Sequence, residues 1–364
     1  MGVRTGSVRT VPLPAVAGPL VERGWITFRV PDSDGRLARV RLVADRGVPV
    51  TADEFEPEGD EWALRLRVPE LDRFEYTVEL EHVDGGREQA PDPANPLRAP
   101  GAFGEKSVVE LPGYTPPAWV DAERVDGRTG GLAVWSNALG GDVHVTLWCP
   151  EDAGEGEPLP LLVAHDGPEL DRLAMLTRYS AAQVAAGRLP RHRVALLEPG
   201  DRDQWYSASA LYARALATLV LPAIRDAVAI TRPVGMGVSL GALAMLHVQR
   251  RFPAAFDGLF LQSGSFFLPR FDPQESGFVR WRRIVRFVRT TLRERPRRAV
   301  PVALTCGALE ENVQNNRVVA AALAGQGYPG RLSEVRDLHN FTAWRDAFHP
   351  HLTELLRRVW RDAS

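Results

Sequence analysis

Lysine, cysteine and long apolar runs are almost absent from this chain of 364 residues. Lys106 is the only lysine among 44 basic residues, and we attribute the dominance of arginine to a GC-rich genome rather than to function. The 46 acidic residues nearly balance the basic ones and leave a net charge of -2 at pH 7. Because this charge is close to zero, it gives no global reason to expect nucleic-acid or membrane partners.

Only two cysteines occur, Cys149 and Cys306, and both lie in apolar stretches of strand-like composition. They predict two buried free thiols, not a disulfide framework or a metal site. No segment approaches the ~20 consecutive apolar residues of a membrane span, and no N-terminal apolar run is of the signal-peptide type. The expected location is therefore cytoplasmic.

The chain is long enough for two domains of ~100–200 residues each. Residues 1–118 are predicted to form an all-β sandwich of the immunoglobulin-like (early-set) type. Four short runs with partial alternation of apolar and polar residues, separated by turn-forming segments, predict its strands. These runs lie at 25–30, 39–43, 62–68 and 74–80.

Proline punctuates two segments that follow these strands, at 92–96 and 112–117. Proline fixes φ and removes a backbone donor, so the two segments predict a semi-rigid linker.

Residues 119–364 show a different pattern, in which short apolar runs alternate with longer helical segments such as 211–228. This alternation predicts an α/β fold with a mostly parallel, doubly wound sheet that is buried on both faces. The predicted strands lie at 143–149, 159–164, 194–197, 258–262, 300–305 and 331–335.

A Gly-x-Ser-x-Gly segment at 237–241 carries the clearest chemical signal. It follows a short strand-like run and precedes a helical run at 242–250, which is the strand–turn–helix context of a nucleophile elbow in an α/β-hydrolase. The tight turn requires small residues beside Ser239 and lifts its hydroxyl to the positive end of the helix. We predict that Ser239 is the nucleophile of a serine hydrolase; the alternative is a glycine-rich turn with an idle serine.

A serine nucleophile needs a base within hydrogen-bonding reach, and in this fold the histidine comes last along the chain. His339 lies in a loop-like segment that follows the predicted strand 331–335, and it is the predicted base. His349 and His351 are expected to be solvated instead.

The acid of the triad is expected just after the predicted strand 300–305, where Glu310 is the first choice. Glu311 and Asp337 remain alternatives. Glu310 and Glu311 could also be acidic residues in the first turn of the following helix, without a catalytic role.

Backbone N–H groups must stabilise the negative charge that develops during acyl transfer. One is predicted to come from Leu240, the residue after the nucleophile. The other is expected from the segment 165–169, in which Pro168 has no N–H, so Gly167 or Glu169 must supply it. The alternative is that this segment is only a turn.

These residues resemble the enterochelin (ferric enterobactin) esterase family and its esterase-D-like relatives. The matching segments are 237–241, 251–256, 262–267, 307–310, 339–345 and the Asp166-Gly167 turn. The β-rich region with its segment 92–96 is similar to the sandwich domain that precedes the hydrolase in this family. The resemblance covers nearly the whole chain and implies a small-molecule ester substrate, a cyclic trilactone siderophore in its ferric form, with no metal or organic cofactor.

Three positions depart from the family pattern. Ala242 stands where a second glycine is usual, and Asp337-Leu338 replaces the common Gly-Gly before the histidine. Segment 201–206 only loosely matches an Arg-x-x-Glu segment of the family and offers Arg202 as a substrate-binding candidate. The elbow and the histidine transfer from the family, whereas the identity of the substrate does not.

Aromatic and basic residues are further candidates for substrate binding. Trp205, Tyr206 and Trp344 could stack on a catechol ring or could be buried. Segment 280–298 holds nine arginines and one acid, Glu294, with apolar residues at helical spacing. This amphipathic helix could attract an anionic ferric catecholate, and a solvated arginine face is the favoured alternative.

Two other functions stay open on the sequence. A feruloyl or acetyl esterase, with a sandwich that binds carbohydrate, would use the same catalytic residues. A non-catalytic binding protein could keep the hydrolase fold. The oligomeric state is also open, and a homo-oligomer is compatible with the sequence.

Overall fold

The computed structural model describes residues 18–123 and 127–361 of the chain. Residues 1–17 of the predicted sandwich, and residues 124–126 and 362–364 of the predicted α/β domain, lie outside this description. Within the described ranges, no helix is both long and apolar enough to cross a membrane, and no three side chains form a cluster that could hold a metal ion.

Nine strands form two antiparallel sheets in the N-terminal region. The first sheet has the order β1-β2-β5-β4, and the second has the order β3-β6-β9-β8 with β7 paired to β6. The strands are β1 (Leu20–Glu22), β2 (Trp25–Pro31), β3 (Leu37–Ala44), β4 (Glu56–Glu58), β5 (Glu61–Arg67), β6 (Arg73–His82), β7 (Arg87–Ala90), β8 (Arg98–Ala99) and β9 (Lys106–Glu110). The four predicted runs correspond to β2, β3, β5 and β6.

The apolar residues of these strands meet in one core between the two sheets. Ile26 and Phe28 from the first sheet pack with Val40 and Tyr76 from the second, and all four are fully or almost fully buried. The ring of Phe28 meets that of Tyr76 edge to face, with centroids 5.1 Å apart. This shared core makes the region a sandwich.

Segment 92–96 belongs to the sandwich, so its interpretation as part of a linker was wrong. The buried carboxylate of Asp92 accepts a hydrogen bond from the Tyr76 hydroxyl at 2.6 Å, and the Asn95 amide donates to the carbonyl of Val108 at 2.7 Å. The prolines of this turn are exposed, whereas its two buried polar side chains, Asp92 and Asn95, are satisfied within the sandwich.

A third sheet, of eight strands, follows in the order β10-β11-β13-β12-β14-β15-β16-β17. β11 pairs antiparallel with both of its neighbours, β10 and β13. The remaining pairs, along the order β13-β12-β14-β15-β16-β17, are all parallel. The strands are β10 (Gly127–Ser136), β11 (Gly141–Pro150), β12 (Leu159–Ala164), β13 (Arg193–Leu197), β14 (Ile230–Val238), β15 (Gly258–Gln262), β16 (Val302–Gly307) and β17 (Gly330–Val335).

Helices cover both faces of this sheet, each over its own apolar cluster. They are α1 (Gly167–Ala174), α2 (Leu176–Ala185), α3 (Arg202–Tyr206), α4 (Ala210–Ala215), α5 (Leu221–Ala227), α6 (Leu240–Arg251), α7 (Trp281–Arg293), α8 (Val313–Gly325), α9 (Phe341–Asp346) and α10 (Thr353–Val359). The predicted fold class, a β-sandwich followed by a mostly parallel α/β sheet, is confirmed. Cys149 and Cys306 are buried free thiols, also as predicted.

Replacing Phe28 with Ala tests whether the two β-sheets of the N-terminal region share one packed core. A fully buried ring leaves a large cavity, so we expect Phe28→Ala to lower the free energy of unfolding by about 3–5 kcal/mol. Denaturant unfolding of the full chain measures this change, with the exposed Val83 changed to Ala as the control. Equal, small effects of the two substitutions would contradict a shared core.

Candidate active site

Four loops with polar side chains leave neighbouring strands of the α/β sheet at one edge. Ser239 follows β14, Ser263 follows β15, Glu310 lies three residues after β16 and His339 lies four residues after β17. Because these strands are parallel and adjacent in the order β14-β15-β16-β17, their carboxyl ends lie side by side. Open α/β sheets commonly place ligand sites at this edge.

Ser239 occupies a strained turn between β14 and α6. Its φ of 54° and ψ of -122° fall outside the regions that L-residues favour, which is the geometry expected of an elbow. A Cβ on Gly237 would lie 2.4 Å from the backbone of Gly241, so only glycine fits there. The predicted elbow is present, and Ser239 stands at the N-terminus of a 12-residue helix.

The hydroxyl of Ser239 lies 3.1 Å from the hydroxyl of Ser265, and the Ser265 N–H donates to the carbonyl of Ser239 at 3.1 Å. Sequence reasoning assigned no role to Ser265. It lies within segment 262–267, which carried part of the family resemblance, but only the fold shows that this segment touches the elbow.

Glu310 and His339 form a hydrogen-bonded pair. His339 Nδ1 lies 2.9 Å from Glu310 Oε2, while Glu310 Oε1 accepts from the Gly307 N–H and the Ser263 hydroxyl, each at 2.7 Å. The carboxylate is buried and the imidazole is about one-third exposed. Donation through Nδ1 leaves Nε2 as the acceptor, and within the described part of the chain Nε2 has no hydrogen-bond partner.

The environment of Glu310 favours its charged form. Burial acts to raise the pKa of this carboxyl, but the neighbouring His339 and the hydrogen bonds from His339, Ser263 and Gly307 outweigh it and hold the pKa below its usual value. Glu310 is therefore ionised at neutral pH and can hold the imidazole in a fixed tautomer and orientation.

The two alternative acids have other partners. Glu311 lies 3.3 Å from the guanidinium of Arg46. Asp337 accepts from Arg73 at 3.1 Å and from the Leu338 N–H at 2.7 Å. Of the three candidate acids, only Glu310 is brought to the histidine.

Trp344 supports this pair from one side. Its indole N–H donates to the Ser263 hydroxyl at 3.1 Å, and its ring meets the His339 ring edge to face with centroids 5.0 Å apart. Trp344 is 7% exposed, so of the two alternatives that the sequence left open, stacking on a ligand or burial, this ring shows burial.

Trp205 and Tyr206 are also buried, which is the second of the two alternatives that the sequence left open for them. Trp205 stacks on Tyr212, and Tyr206 stacks on His165 with ring centroids 4.3 Å apart. Aromatic character alone could not show that both rings pack beneath the site rather than within it.

The guanidinium of Arg202 is paired with a carboxylate of this chain. Its Nε and Nη2 donate to the two carboxylate oxygens of Asp166 at 2.7 and 2.9 Å. Since this bidentate pair occupies the planar fork of the guanidinium, Arg202 anchors the loop that precedes Gly167.

The loop 165–167 is bound to the elbow. The buried His165 ring lies 3.0 Å from the carbonyl of Gly241 through Nδ1 and 2.8 Å from the Tyr212 hydroxyl through Nε2. Burial lowers the pKa of His165 to about 4, so the ring is neutral, donates to Gly241 and accepts from Tyr212. Gly167 opens α1 just as Leu240 opens α6, and the first N–H groups of a helix have no partner within it.

The arginine-rich segment forms the predicted amphipathic helix, α7. Ile284 and Val288 are buried, whereas Arg282, Arg286 and Arg289 are exposed. Among the described residues, none of these three arginines has a carboxylate within ion-pair distance. The Trp281 ring at the start of α7 packs on Phe267, with centroids 5.4 Å apart, so this end of the helix lies next to the segment that contacts Ser239.

A cleft of about 740 Å³ lies between part of the sandwich and the loop that carries His339. His339, Phe341 and Trp344 line one side, and Glu75 and Lys106 of the sandwich line the other. The loop that carries His339 therefore borders a space large enough for a ligand of moderate size.

Comparisons with solved structures give the same architecture over nearly the whole chain. A ferric enterobactin esterase from Salmonella typhimurium is 20% identical, with a TM-score of 0.77, and the match covers 96% of this chain and 98% of the other. The enterobactin esterase FES from Shigella flexneri, solved in the presence of enterobactin, is 19% identical with a TM-score of 0.76, covering 96% and 97%. These likenesses show the fold: an α/β-hydrolase preceded by a β domain.

A ferulic acid esterase matches less of the chain. It is 15% identical with a TM-score of 0.54, and the match covers 64% of this chain and 98% of the other. A search of curated proteins finds no relative.

The family model described as "Putative esterase" matches residues 136–355, which span more than half of the chain and include the elbow, Glu310 and His339. The chain therefore belongs to this esterase family.

Proposed function

We propose that this esterase is a serine hydrolase in which Ser239, His339 and Glu310 form the catalytic triad. The observation that carries the proposal is the 2.9 Å hydrogen bond from His339 to the buried, ionised Glu310, at the sheet edge where the elbow presents Ser239. An acid that orients a histidine beside a strained, helix-capped serine is the arrangement that activates a hydroxyl nucleophile.

In the first half of the proposed reaction, Ser239 Oγ attacks the ester carbonyl carbon while His339 Nε2 takes the hydroxyl proton. The serine hydroxyl must turn from Ser265 toward the imidazole, since catalytic hydrogen bonds often tighten only when substrate is bound. The N–H groups of Leu240 and Gly167 would stabilise the oxyanion. The C–O bond then breaks, and the leaving alcohol takes the proton from His339.

In the second half, water attacks the acyl-enzyme carbonyl and gives its proton to His339 Nε2. The imidazolium then protonates Ser239 Oγ as the acid product leaves. Glu310 stays ionised throughout and stabilises the imidazolium through Nδ1. The residues account for ester hydrolysis without an external group, so no cofactor enters the proposal.

For the substrate we propose a catecholate trilactone siderophore, free or as its ferric complex. The enterobactin esterases match 96% of this chain, including the sandwich, whereas the ferulic acid esterase leaves about a third of it unmatched. The unpaired arginines of α7 add an electrostatic argument, since a ferric catecholate is a compact anion and arginine offers fixed donors. A feruloyl or acetyl esterase remains the second candidate, because the same triad would serve it.

Ser239→Ala and His339→Ala should each lower kcat by about 10⁴-fold or more, because the triad acts as a unit. Glu310→Gln should cost less, and Glu311→Gln, the matched control at the neighbouring position, should leave kcat near the wild-type value. Turnover of a p-nitrophenyl ester and labelling of Ser239 by a fluorophosphonate measure these effects. An unlabelled, folded protein would favour a non-catalytic binding role.

The dependence of kcat/KM on pH should show a single rise across the range where histidines titrate, around pH 6.5. Glu310 does not contribute to this rise, because its lowered pKa keeps it ionised throughout. Burial raises the pKa of Asp337 to about 6, so Asp337 loses its proton in the same range. The rise should therefore persist in Asp337→Asn, and its disappearance there would assign it to Asp337 instead of a histidine base.

Changing Arg282 and Arg286 together to Gln should raise KM for a ferric trilactone more than KM for a neutral p-nitrophenyl ester. The difference should shrink with added salt, because exposed charges are screened beyond about 8–10 Å at physiological ionic strength. Arg357→Gln with Arg361→Gln, an exposed pair that lines a different groove, is the control. If KM for the two esters changes equally, the arginines of α7 form only a solvated face.

A further inference from the structure

We propose that the β-sandwich positions the catalytic histidine, and that Arg73 of the sandwich is the positioning residue. This inference rests on the proposed function, because it concerns the base of the same triad. Arg73 does not touch His339; it holds the residues on both sides of it. The sandwich would thus be part of the catalytic machinery and not an appended binding module.

The guanidinium of Arg73 reaches from the first residue of β6 into the histidine loop of the α/β domain. Its Nη1 donates to Asp337 Oδ2 and to Asn340 Oδ1, both at 3.1 Å, and its Nη2 donates to Glu75 Oε1 at 2.8 Å. Asp337 lies two residues before His339 and Asn340 lies directly after it. One nitrogen, Nη1, therefore holds both ends of the segment that carries the imidazole, while Glu75 fixes the plane of the guanidinium through Nη2.

The two anchored residues are also tied to each other and to the helix that follows. Asp337 Oδ1 accepts from the Asn340 amide at 3.1 Å, and Asn340 Oδ1 accepts from the Ala343 N–H at 2.8 Å as the N-cap of α9. The Asn340 amide also donates to Asp45 of the sandwich at 3.3 Å. A shift of His339 would break several of these buried hydrogen bonds together.

The sandwich also contacts the turn that carries Glu310. Gly47 has a φ of +102°, and a Cβ there would lie 2.3 Å from the carbonyl of Leu309 and 2.8 Å from the side chain of Leu338. Leu338 is fully buried and belongs to the core of the sandwich. The residues immediately before Glu310 and before His339 thus rest on the same domain.

Because the contacts of Arg73 are buried, they depend on the positive charge of its guanidinium. Arg73 is 1% exposed, and buried charges persist only when they are paired. Burial raises the pKa of Asp337 to about 6 even with Arg73 beside it. Without the guanidinium, Asp337 would be a buried carboxylate with no cation beside it, and Glu75 would keep only the ammonium group of Lys106, 3.8 Å away, so the loop would have to rearrange.

The competing explanation is that Arg73 only holds the two domains together. A second ion pair between the same domains serves as the control. Arg336 pairs with Asp72 of the sandwich at 2.8 Å, but this pair is exposed and lies outside the segment 337–340. If holding the domains together were the whole effect, loss of either pair would act through stability alone.

The test compares Arg73→Met, Arg73→Lys, the double variant Arg73→Met with Asp337→Asn, and Arg336→Gln as the control. For each, kcat and KM for a p-nitrophenyl ester are measured together with Tm and the rate of fluorophosphonate labelling. A misplacement of about 1 Å can cost about 10²-fold in rate, so kcat of Arg73→Met should fall about 10–100-fold, with KM changed less than about threefold.

The double variant separates the two explanations, because it removes the unpaired carboxylate as well as the cation. Its Tm should recover toward the wild type while its kcat and labelling rate stay low. Arg73→Lys keeps the charge but loses the planar group that Glu75 orients through Nη2, so its kcat should lie between those of Arg73→Met and the wild type. Arg336→Gln should keep wild-type kcat and labelling.

Two results would overturn the positioning role. In one, kcat of the double variant recovers together with its Tm. In the other, folded Arg73→Lys and the folded double variant both have wild-type kcat. If kcat falls as much in Arg336→Gln as in Arg73→Met, the positioning role is also overturned, and Arg73 only holds the two domains together. Failure of the proposed function gives a different result, since Ser239→Ala would then retain the wild-type rate.

Discussion

A carboxylate that is buried in a protein must find donors for its oxygens, and Glu310 draws them from the carboxyl-terminal side of three neighbouring strands. The Ser263 hydroxyl, the Gly307 N–H and the His339 imidazole all converge on it. Gly307 ends β16, Ser263 follows β15 and His339 follows β17, so satisfying one acid fixes the relative positions of three strand ends. Ser263 itself sits at a φ of 46°, and its hydroxyl is held in place by Trp344 from behind. The geometry of the site is thus largely a consequence of keeping one charge buried.

The sequence carried enough information to locate the elbow, because the constraint there is local. A Gly-x-Ser-x-Gly turn between a strand and a helix can be recognised from the sequence without any knowledge of distant residues. The choice of His339 also rested on a local feature, a histidine in a loop after the last strand. Ser265 and Arg73 could not be found in the same way, since their roles arise from contacts with residues 26 and more than 260 positions away. The misinterpretation of segment 92–96 has a similar cause: a proline-rich linker and a proline-rich turn of a sandwich share one composition and differ only in the contacts that their polar side chains make.

The boundary of the family match and the boundary of the structural likeness fall in different places. The family model begins at residue 136 and so leaves the sandwich out, whereas the enterobactin esterases match the sandwich and the α/β domain together. The contacts across the seam give a physical reason for treating both as one unit. Leu338 from the α/β domain completes the apolar core of the sandwich, and the charges of Arg73 and Asp337 compensate each other only when the two regions are in contact. Each region would expose surface suited to burial if it were separated from the other.

Lys106, the one lysine of the chain, opens strand β9, which pairs with β6 on one side and with β8 on the other. Its ammonium group is partly exposed and lies 2.6 Å from a carboxylate oxygen of Asp45. A protease specific for lysine therefore has a single peptide bond to cut, and that bond is held in an extended, doubly hydrogen-bonded strand that does not fit a protease cleft. Cleavage into fragments 1–106 and 107–364 would require the sandwich to open first. The arginine-rich composition thus gives this protein a built-in reporter, in which the rate of one proteolytic cut follows the opening of one domain.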